Sequence, residues 1–254
     1  MVTSQLPPDL IQRAKLAKNI LVLSGAGMSA ESGVPTFRDE EAGLWHQYSP
    51  EDLATEDGWR ADPQLVWGWY LWRIGVINTT TPNAGHLALA QWAQLNSSIK
   101  FNIVTQNVDD LHERAGSKVL AHLHGRIDEF RCIDCAKPAQ ADLTNIPTTP
   151  QLRIPTQKCA CGGDLRPNIV FFGENLDPIG LEASFQAAQH ADLTIVVGTS
   201  SVVYPAAALP NIAYDSGSYV VELNPNPTNL GCQLHWATTA AIGLPELVSA
   251  IKAE

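Results

Sequence analysis

Short, β-branched apolar runs recur along the chain: Ile20-Leu-Val-Leu-Ser24, Phe101-Asn-Ile-Val-Thr105, Asn168-Ile-Val-Phe-Phe172, Leu193-Thr-Ile-Val-Val-Gly198 and Tyr219-Val-Val-Glu-Leu223. Near-continuous apolar runs of this length predict strands buried on both faces, since a half-exposed strand would alternate with polar residues. Between several of them lie stretches with helical spacing, among them residues 84–95 and 181–190. A first helix is expected near the N-terminus, with Leu10, Ile11 and Ala14 facing inward. Strands alternating with helices predict an α/β fold with a parallel sheet covered on both faces. Ligands of such sheets bind at the carboxyl ends of the strands.

Two segments break the alternation. Residues 40–82 carry Trp45, Trp59, Trp67, Trp69 and Trp72, with Trp92 just beyond. Residues 130–164 carry four of the five cysteines and a Pro/Thr-rich stretch, NIPTTPQLRIPTQ. Both read as inserts, helical and metal-binding respectively, which leaves 1–39, 83–129 and 165–254 as the core. With 254 residues, 45% hydrophobic, the chain can bury a large core. A net charge of −10 repels phosphate backbones, so nucleic acid is not expected as the main ligand. No apolar run reaches the roughly 18 residues that would suggest a membrane span. The N-terminus lacks an apolar signal core. The expectation is a cytoplasmic protein, by default a monomer.

Two motifs carry candidate chemistry. Gly25-x-Gly27-x-x-Ala30 follows the first predicted strand and is expected to open a helix. That is a dinucleotide-binding form, in which glycines admit the backbone to a pyrophosphate and the helix start favours the anion. A tight strand–helix turn without a ligand is the alternative. The acidic residue that usually closes a second strand about 20 residues on is missing, which argues against ordinary hydride transfer on this Rossmann-like core. The second motif is Cys132-x-x-Cys135 with Cys159-x-Cys161. Four thiolates in two tight pairs suit tetrahedral zinc in a closed structural site; a redox CxxC with two bystanders is the alternative. Cys232 lies far from them and is expected to be a buried free thiol.

Further along are TQNVDDLHERAG (105–116), HLHGRIDEFRCIDC (122–135), RPNIVFFGE (166–174), VVGTSSVVYPAA (196–207) and VELNPNPT (221–228). Together with GAGMSAESGVPTFRD, and in this order, they make the chain resemble a sirtuin, an NAD-dependent protein-lysine deacylase, from about residue 15 to about residue 250. The resemblance implies that Gly25, Ala26, Gly27 and Ser29 bind the NAD pyrophosphate. It implies that the Thr36-Phe37-Arg38 segment forms a lid over the nicotinamide ribose. Gln106, Asn107 and Asp109 match the nicotinamide and ribose contacts, and Gly198, Thr199, Ser200, Asn224, Pro225, Asn226 and Ala240 the adenosine end. Asp110 reads as a turn or cap residue. His124 matches the general base, chosen over His122 because Gly125 follows it; Asn107 is the second catalytic candidate. His86 and His112 are expected to be structural.

The implied reaction consumes NAD. The acyl-lysine oxygen displaces nicotinamide at the ribose, His124 removes a ribose hydroxyl proton, and lysine leaves with 2′-O-acyl-ADP-ribose as the other product. Val170, Phe172, Gly173 and Glu174 match the family's peptide-binding strand, so acyl-lysine proteins or peptides are the expected partners. Tyr70 and Arg73 would share a helix face. By themselves they read as an amphipathic helix with one surface arginine. By resemblance they match the branch that removes malonyl, succinyl and glutaryl groups, whose terminal carboxylate an arginine can pair. Three other readings stay open: mainly a deacetylase, a protein mono-ADP-ribosyltransferase, or a non-catalytic NAD-binding module.

Overall fold

The computed structural model describes residues 2–35, 48–147 and 149–253. Ten strands lie among them: β1 (Val2–Thr3), β2 (Asn19–Ser24), β3 (Lys100–Thr105), β4 (Val119–His122), β5 (Gly125–Cys132), β6 (Pro138–Ala139), β7 (Leu165–Ile169), β8 (Leu193–Val197), β9 (Tyr219–Leu223) and β10 (Leu234–Trp236). They form a seven-stranded sheet in the order β1-β10-β9-β8-β2-β3-β4 and a three-stranded sheet in the order β6-β5-β7. The large sheet is parallel at every pairing. The chain runs outward from β2 through β3 to β4, and later fills the other side through β8, β9 and β10. The strand order therefore reverses at β2, which makes the carboxyl ends of β2, β3 and β8 the place for a ligand.

The described chain divides into two compact units: Met1–Gly33, Thr81–Leu123 and Asp177–Glu254, and Val34–Thr80 with His124–Leu176. The large sheet lies in the first. Every residue of β8 is buried, as its unbroken apolar run predicts. Helices Pro8–Leu16, Ala84–Leu95 and Ala240–Lys252 cover the sheet, and Leu10, Ala14, Leu89, Trp92, Leu244 and Leu247 join Ile20, Val22 and Ile195 in one core. Ile11 is partly buried and packs against that core. The helix over Ala84–Leu95 starts where Asn83 Oδ1 accepts from the Gly85 N–H at 2.9 Å.

The second unit pairs β5 antiparallel with β6 and β7. Its longest helix, Pro63–Thr79, begins with Asp62 as cap and proline at its first turn. The helix is apolar nearly all round, and ten of its residues are buried. A helix of that kind is a core element rather than a surface one.

One expected strand moves. The run Asn168–Phe172 reads as a strand of the parallel sheet, but the strand is Leu165–Ile169 and lies in the antiparallel sheet. Apolar periodicity misses it because Arg166 and Pro167 interrupt its first half. Residues 124–129 and 165–176, expected with the core, fold in the second unit.

Candidate active site

In the first unit the loops that carry the candidate cofactor residues follow the carboxyl ends of β2, β3, β8 and β9. After β2, the Gly25 N–H donates to Val197 O at 3.0 Å and the Gly27 N–H to Gly198 O at 2.8 Å. A Cβ on Gly25 would lie 2.7 Å from Thr199 Cβ, and one on Gly27 2.7 Å from Gly198 Cα. Gly198 has φ +61°, and its own Cβ would lie 2.4 Å from the Met28 nitrogen. The glycines thus serve first to let two loop backbones touch, and these two N–H groups are already bonded within the protein. The helix that follows, Gly27–Ala30, is a single turn, with Ala26 exposed at the tip of the loop.

Gln106 follows β3. Its backbone N–H donates to Ser24 O at 2.9 Å and its Nε2 to Thr199 Oγ1 at 3.2 Å. Asn224, after β9, donates from Nδ2 to Thr199 O at 2.8 Å. Thr199 is therefore the hub joining the loops after β3, β8 and β9, and with Gln106 and Ser201 it lines a small recess. Ser200 is half-buried, and Pro225 and Asn226 are exposed on the β9 loop. Glu222, buried in β9, holds that loop by accepting from the Thr228 N–H at 3.1 Å. Ala240 is buried in the core at the start of the last helix, its carbonyl packed where Gly85 has no side chain.

Beneath the β2 loop lies a buried polar network. Asn107 Nδ2 donates to Ser29 Oγ at 3.0 Å, and Ser29 Oγ lies 3.5 Å from His86 Nε2. Ser24 Oγ donates to Thr105 Oγ1 at 2.9 Å and lies 2.9 Å from His112 Nε2. The rings of His86 and His112 meet edge to face, 4.9 Å apart. Burial lowers the His86 pKa to about 4 and that of His112 to about 3, so both are neutral at pH 7. Asp109 is buried too, and burial raises its pKa; its Oδ1 accepts from the Leu111 N–H at 3.1 Å. Asp110 stands at the N-cap position of the helix Leu111–Arg114, as expected, but its side chain makes no cap bond and pairs with Arg114 at 3.5 Å.

His122 ends β4 and is committed within the fold: its Nε2 meets Glu113 Oε1 at 2.7 Å and its Nδ1 the Asn107 carbonyl at 3.1 Å. His124 lies in the turn beyond, half-buried, and its carbonyl accepts from the Val170 N–H at 2.9 Å. It belongs to the second unit. Thr36, Phe37 and Arg38 lie outside the described residues.

In the second unit Tyr70 and Arg73 are both buried, Arg73 at 6% exposure. The expectation of one surface arginine on this helix is thus incorrect: the helix is enclosed nearly all round. The Arg73 guanidinium lies 5.0 Å from the Trp69 ring centroid, and its side chain lines a recess with Val34, Trp72, Val76 and Ile77. The Tyr70 hydroxyl is buried and has no hydrogen-bond partner among the described residues. Burial pushes its pKa well above the ordinary phenol value. Val170 is half-buried and Phe172 is 53% exposed, while Phe171 between them points inward. The Phe172 N–H donates to Ala54 O at 2.8 Å, and Gly173 turns the chain with φ +90°. Glu174 faces a cluster of arginines.

The four cysteines converge. Sγ atoms of Cys132, Cys135, Cys159 and Cys161 all lie within 4.8 Å of one another, with Cys132 to Cys161 at 3.5 Å and Cys135 to Cys159 at 3.8 Å. Tetrahedral zinc with bonds of about 2.3 Å needs sulfurs about 3.8 Å apart, so the cluster fits that ion. The short Cys-x-Cys spacing is accommodated by a tight turn, in which the Gly162 N–H bonds Cys159 O at 2.9 Å. A Cβ on Gly163 would lie 2.7 Å from Cys132 Sγ. Cys232 is half-buried and stands apart.

With this geometry in view, the chain can be set beside known proteins. The Sir2 family model matches residues 25–205. An NAD-dependent protein deacylase of Mycolicibacterium paratuberculosis is 48% identical over 236 residues, covering 92% of this chain and 98% of its own. A Sir2 homologue in complex with NAD superposes with TM-score 0.89 at 39% identity, covering 99% of this chain and 96% of its own. A mutant Sir2 homologue in complex with 2′-O-acetyl-ADP-ribose gives TM-score 0.87 at 39% identity over 97% of each chain. The chain belongs to the Sir2 family.

Signals missing from the sequence reading were those made by partners distant in the chain. Glu31, a lone acid after the glycine loop, accepts from Thr239 Oγ1 and from the Ala241 N–H, each at 3.0 Å, and so caps the last helix. Phe171 looked like its neighbours but has the opposite facing.

Proposed function

We propose that this protein is an NAD-dependent lysine deacylase whose acyl pocket takes dicarboxylic groups, succinyl and malonyl, and also accepts acetyl. The observation that carries the acyl reading is Arg73, a cation buried among aromatic and aliphatic side chains beside the buried hydroxyl of Tyr70. A buried guanidinium favours an anionic guest, because pairing offsets the cost of keeping its charge out of water. A carboxylate can meet it through two parallel bonds while the tyrosine hydroxyl donates a third.

NAD is a substrate in this reading: it contributes the ribose that receives the acyl group, and nicotinamide departs. The loop residues Gly25, Ala26, Gly27, Gly198, Thr199 and Ser200 bind it, with Asn224, Pro225 and Asn226 at the adenosine end and Thr36, Phe37 and Arg38 covering the ribose. Gln106, Asn107 and Asp109 orient the nicotinamide and its ribose. An amide side chain suits that task because it both donates and accepts. Ser29 acts through Asn107, whose amide it accepts. His124 takes the hydroxyl proton, a role that needs an imidazole neutral near pH 7. The choice of His124 over His122 is supported by the engagement of both His122 ring nitrogens, with Glu113 and with the Asn107 carbonyl. Lysine leaves as the amide C–N bond breaks, and a water molecule opens the acyl-bridged ribose to give O-acyl-ADP-ribose alongside the nicotinamide already released. Val170, Phe172 and Gly173 bind the peptide backbone, an interaction tolerant of sequence. Cys132, Cys135, Cys159 and Cys161 hold one zinc that has no open position for substrate and stabilises the small sheet.

The test compares kcat/KM for one peptide carrying succinyl-lysine or acetyl-lysine. The expected outcome is turnover of both with a succinyl preference that falls at least about tenfold in Arg73→Met while acetyl turnover persists. His124→Ala should abolish turnover of both. Equal loss on both peptides in Arg73→Met would make Arg73 an ordinary packing residue. Transfer of ADP-ribose to protein without deacylation would replace the reading altogether.

A further inference from the structure

The second unit contains a charge cluster that the proposed chemistry does not use. Arg166, in β7, is fully buried. Its Nη1 donates to Glu174 Oε1 at 2.5 Å, and its Nη2 to Glu174 Oε2 at 3.1 Å and to Ile169 O at 2.8 Å. Glu174 Oε2 also accepts from the Phe171 N–H at 2.9 Å, and both carboxylate oxygens accept from Arg131 Nη2 at 3.2 Å. With these donors on it, the Glu174 carboxylate is committed to the fold; the sequence expectation that it meets the peptide does not suit its surroundings.

What the pair holds is Phe171. The Arg166 guanidinium lies 3.4 Å from the Phe171 ring centroid, and the Tyr70 ring stacks on Phe171 at 5.9 Å with 21° between the planes. Trp59 closes the group at 6.3 Å. Arg166 and Glu174 are near enough to Tyr70 to act electrostatically on its hydroxyl, as is Arg73. The chain around Phe171 is pinned on both sides, by the Val170 N–H to His124 O and the Phe172 N–H to Ala54 O. A buried, doubly bonded ion pair is a costly way to add stability and a good way to fix a position.

We infer that Arg166 and Glu174 are positioning residues for acyl selection: paired, they hold Phe171 in the place against which Tyr70 packs, and so set where the Tyr70 hydroxyl meets the carboxylate of the acyl group. The inference rests on the acyl reading above, and its test separates the two.

The full-length zinc-loaded protein is used. Phe171→Leu removes the ring and keeps the ion pair; Glu174→Gln keeps the shape and the acceptor for the Phe171 N–H while removing the charge. Arg166→Met is not used, because it strands Glu174 and also removes the cation packed on the Phe171 ring. Glu174→Gln leaves Arg166 with neutral acceptors, so its folding is checked by thermal unfolding; if Glu174→Gln does not fold, Phe171→Leu, which keeps the pair, decides the inference. In Phe171→Leu, KM for the succinyl-lysyl peptide should rise about tenfold with kcat within about twofold, and KM for the acetyl-lysyl peptide and for NAD should stay within about twofold. Glu174→Gln should move the same constants in the same direction, and Phe171→Tyr, which retains the ring, should restore them. A parallel loss on both peptides, or no change on either, overturns the inference.

A second readout does not depend on acyl preference. With 3-fluorotyrosine in place of tyrosine, the Tyr70 fluorine resonance is assigned by its loss in Tyr70→Phe. It should shift or broaden in Phe171→Leu and in Glu174→Gln. If the wild-type enzyme shows no succinyl preference, the acyl reading fails; the positioning of Tyr70 then stands on a moved fluorine line in both variants and is overturned by an unmoved one.

Discussion

His86 and His112 show what burial does to a single titratable group. Each has one ring nitrogen near a serine hydroxyl, and the other has no hydrogen-bond partner among the described residues. Their folded pKa values, about 4 and about 3, lie below the ordinary value of 6.5. Between those limits the unfolded chain binds more protons than the folded one, so stability falls as pH drops through this window and is fully present above it. By pH 5 each histidine should cost about 2 kcal/mol relative to pH 7. Denaturant midpoints measured from pH 7 down to 5 should fall accordingly, and His112→Asn should flatten the slope. A midpoint independent of pH over that range would mean that the ring pair takes up protons in the folded state. These two histidines were legible as structural from their motifs. The motif puts His124 forward as the base; that His122 is held by Glu113 could be seen only in the fold.

At the scale of elements, the loops after β2 and β8 depend on each other. Their glycines are set by backbone-to-backbone contact, so a methyl group at Gly198 collides with the Met28 nitrogen and also faces the left-handed φ of +61°. Gly198→Ala should cost at least about 2 kcal/mol, since the left-handed conformation by itself costs about 1–2 kcal/mol. Gly217→Ala makes the matched control: it shares a positive φ, +93°, but has nothing within 4 Å of the added carbon. Thermal unfolding of the two variants checks this, with the larger loss expected at position 198. A larger loss at 217 would contradict the close approach. Strand prediction worked for β2, β3, β8 and β9, whose runs are mostly apolar and largely buried, with Asn102 in β3 and Glu222 in β9 as polar interruptions. It failed for β7, whose buried arginine is compensated by Glu174, eight positions on. It was silent on β4 and β10, which are too short to carry a period.

At the scale of the molecule, the second unit is organised by two devices, an apolar helix and a metal cluster. Phe130, in the strand that ends at Cys132, meets Trp67 of the helix Pro63–Thr79 edge to face at 5.8 Å. Zinc removal should therefore be seen by tryptophan. A strong chelator should release about one zinc per chain, change the tryptophan emission and lower the unfolding temperature, and zinc should restore all three. Metal well below one per chain in freshly purified protein, with emission unaffected by chelator, would contradict a structural zinc. Among the described residues no helix is long and apolar enough to cross a membrane.

The sequence by itself determined the class of fold, the parallel core strands, the four cysteines and the family motifs. All of these are local: an apolar run, a fixed spacing or a short string specifies each one. The tertiary structure decided which groups are already engaged. Gly25 and Gly27 bond a neighbouring loop, Ser29 turns inward to Asn107, and Glu31 caps a helix that begins more than two hundred positions later. Glu174 holds an arginine rather than lying open to a ligand, and Arg73 is enclosed rather than solvated. Burial and pairing of polar groups depend on partners that the chain brings from far away, and no periodicity along the sequence encodes them.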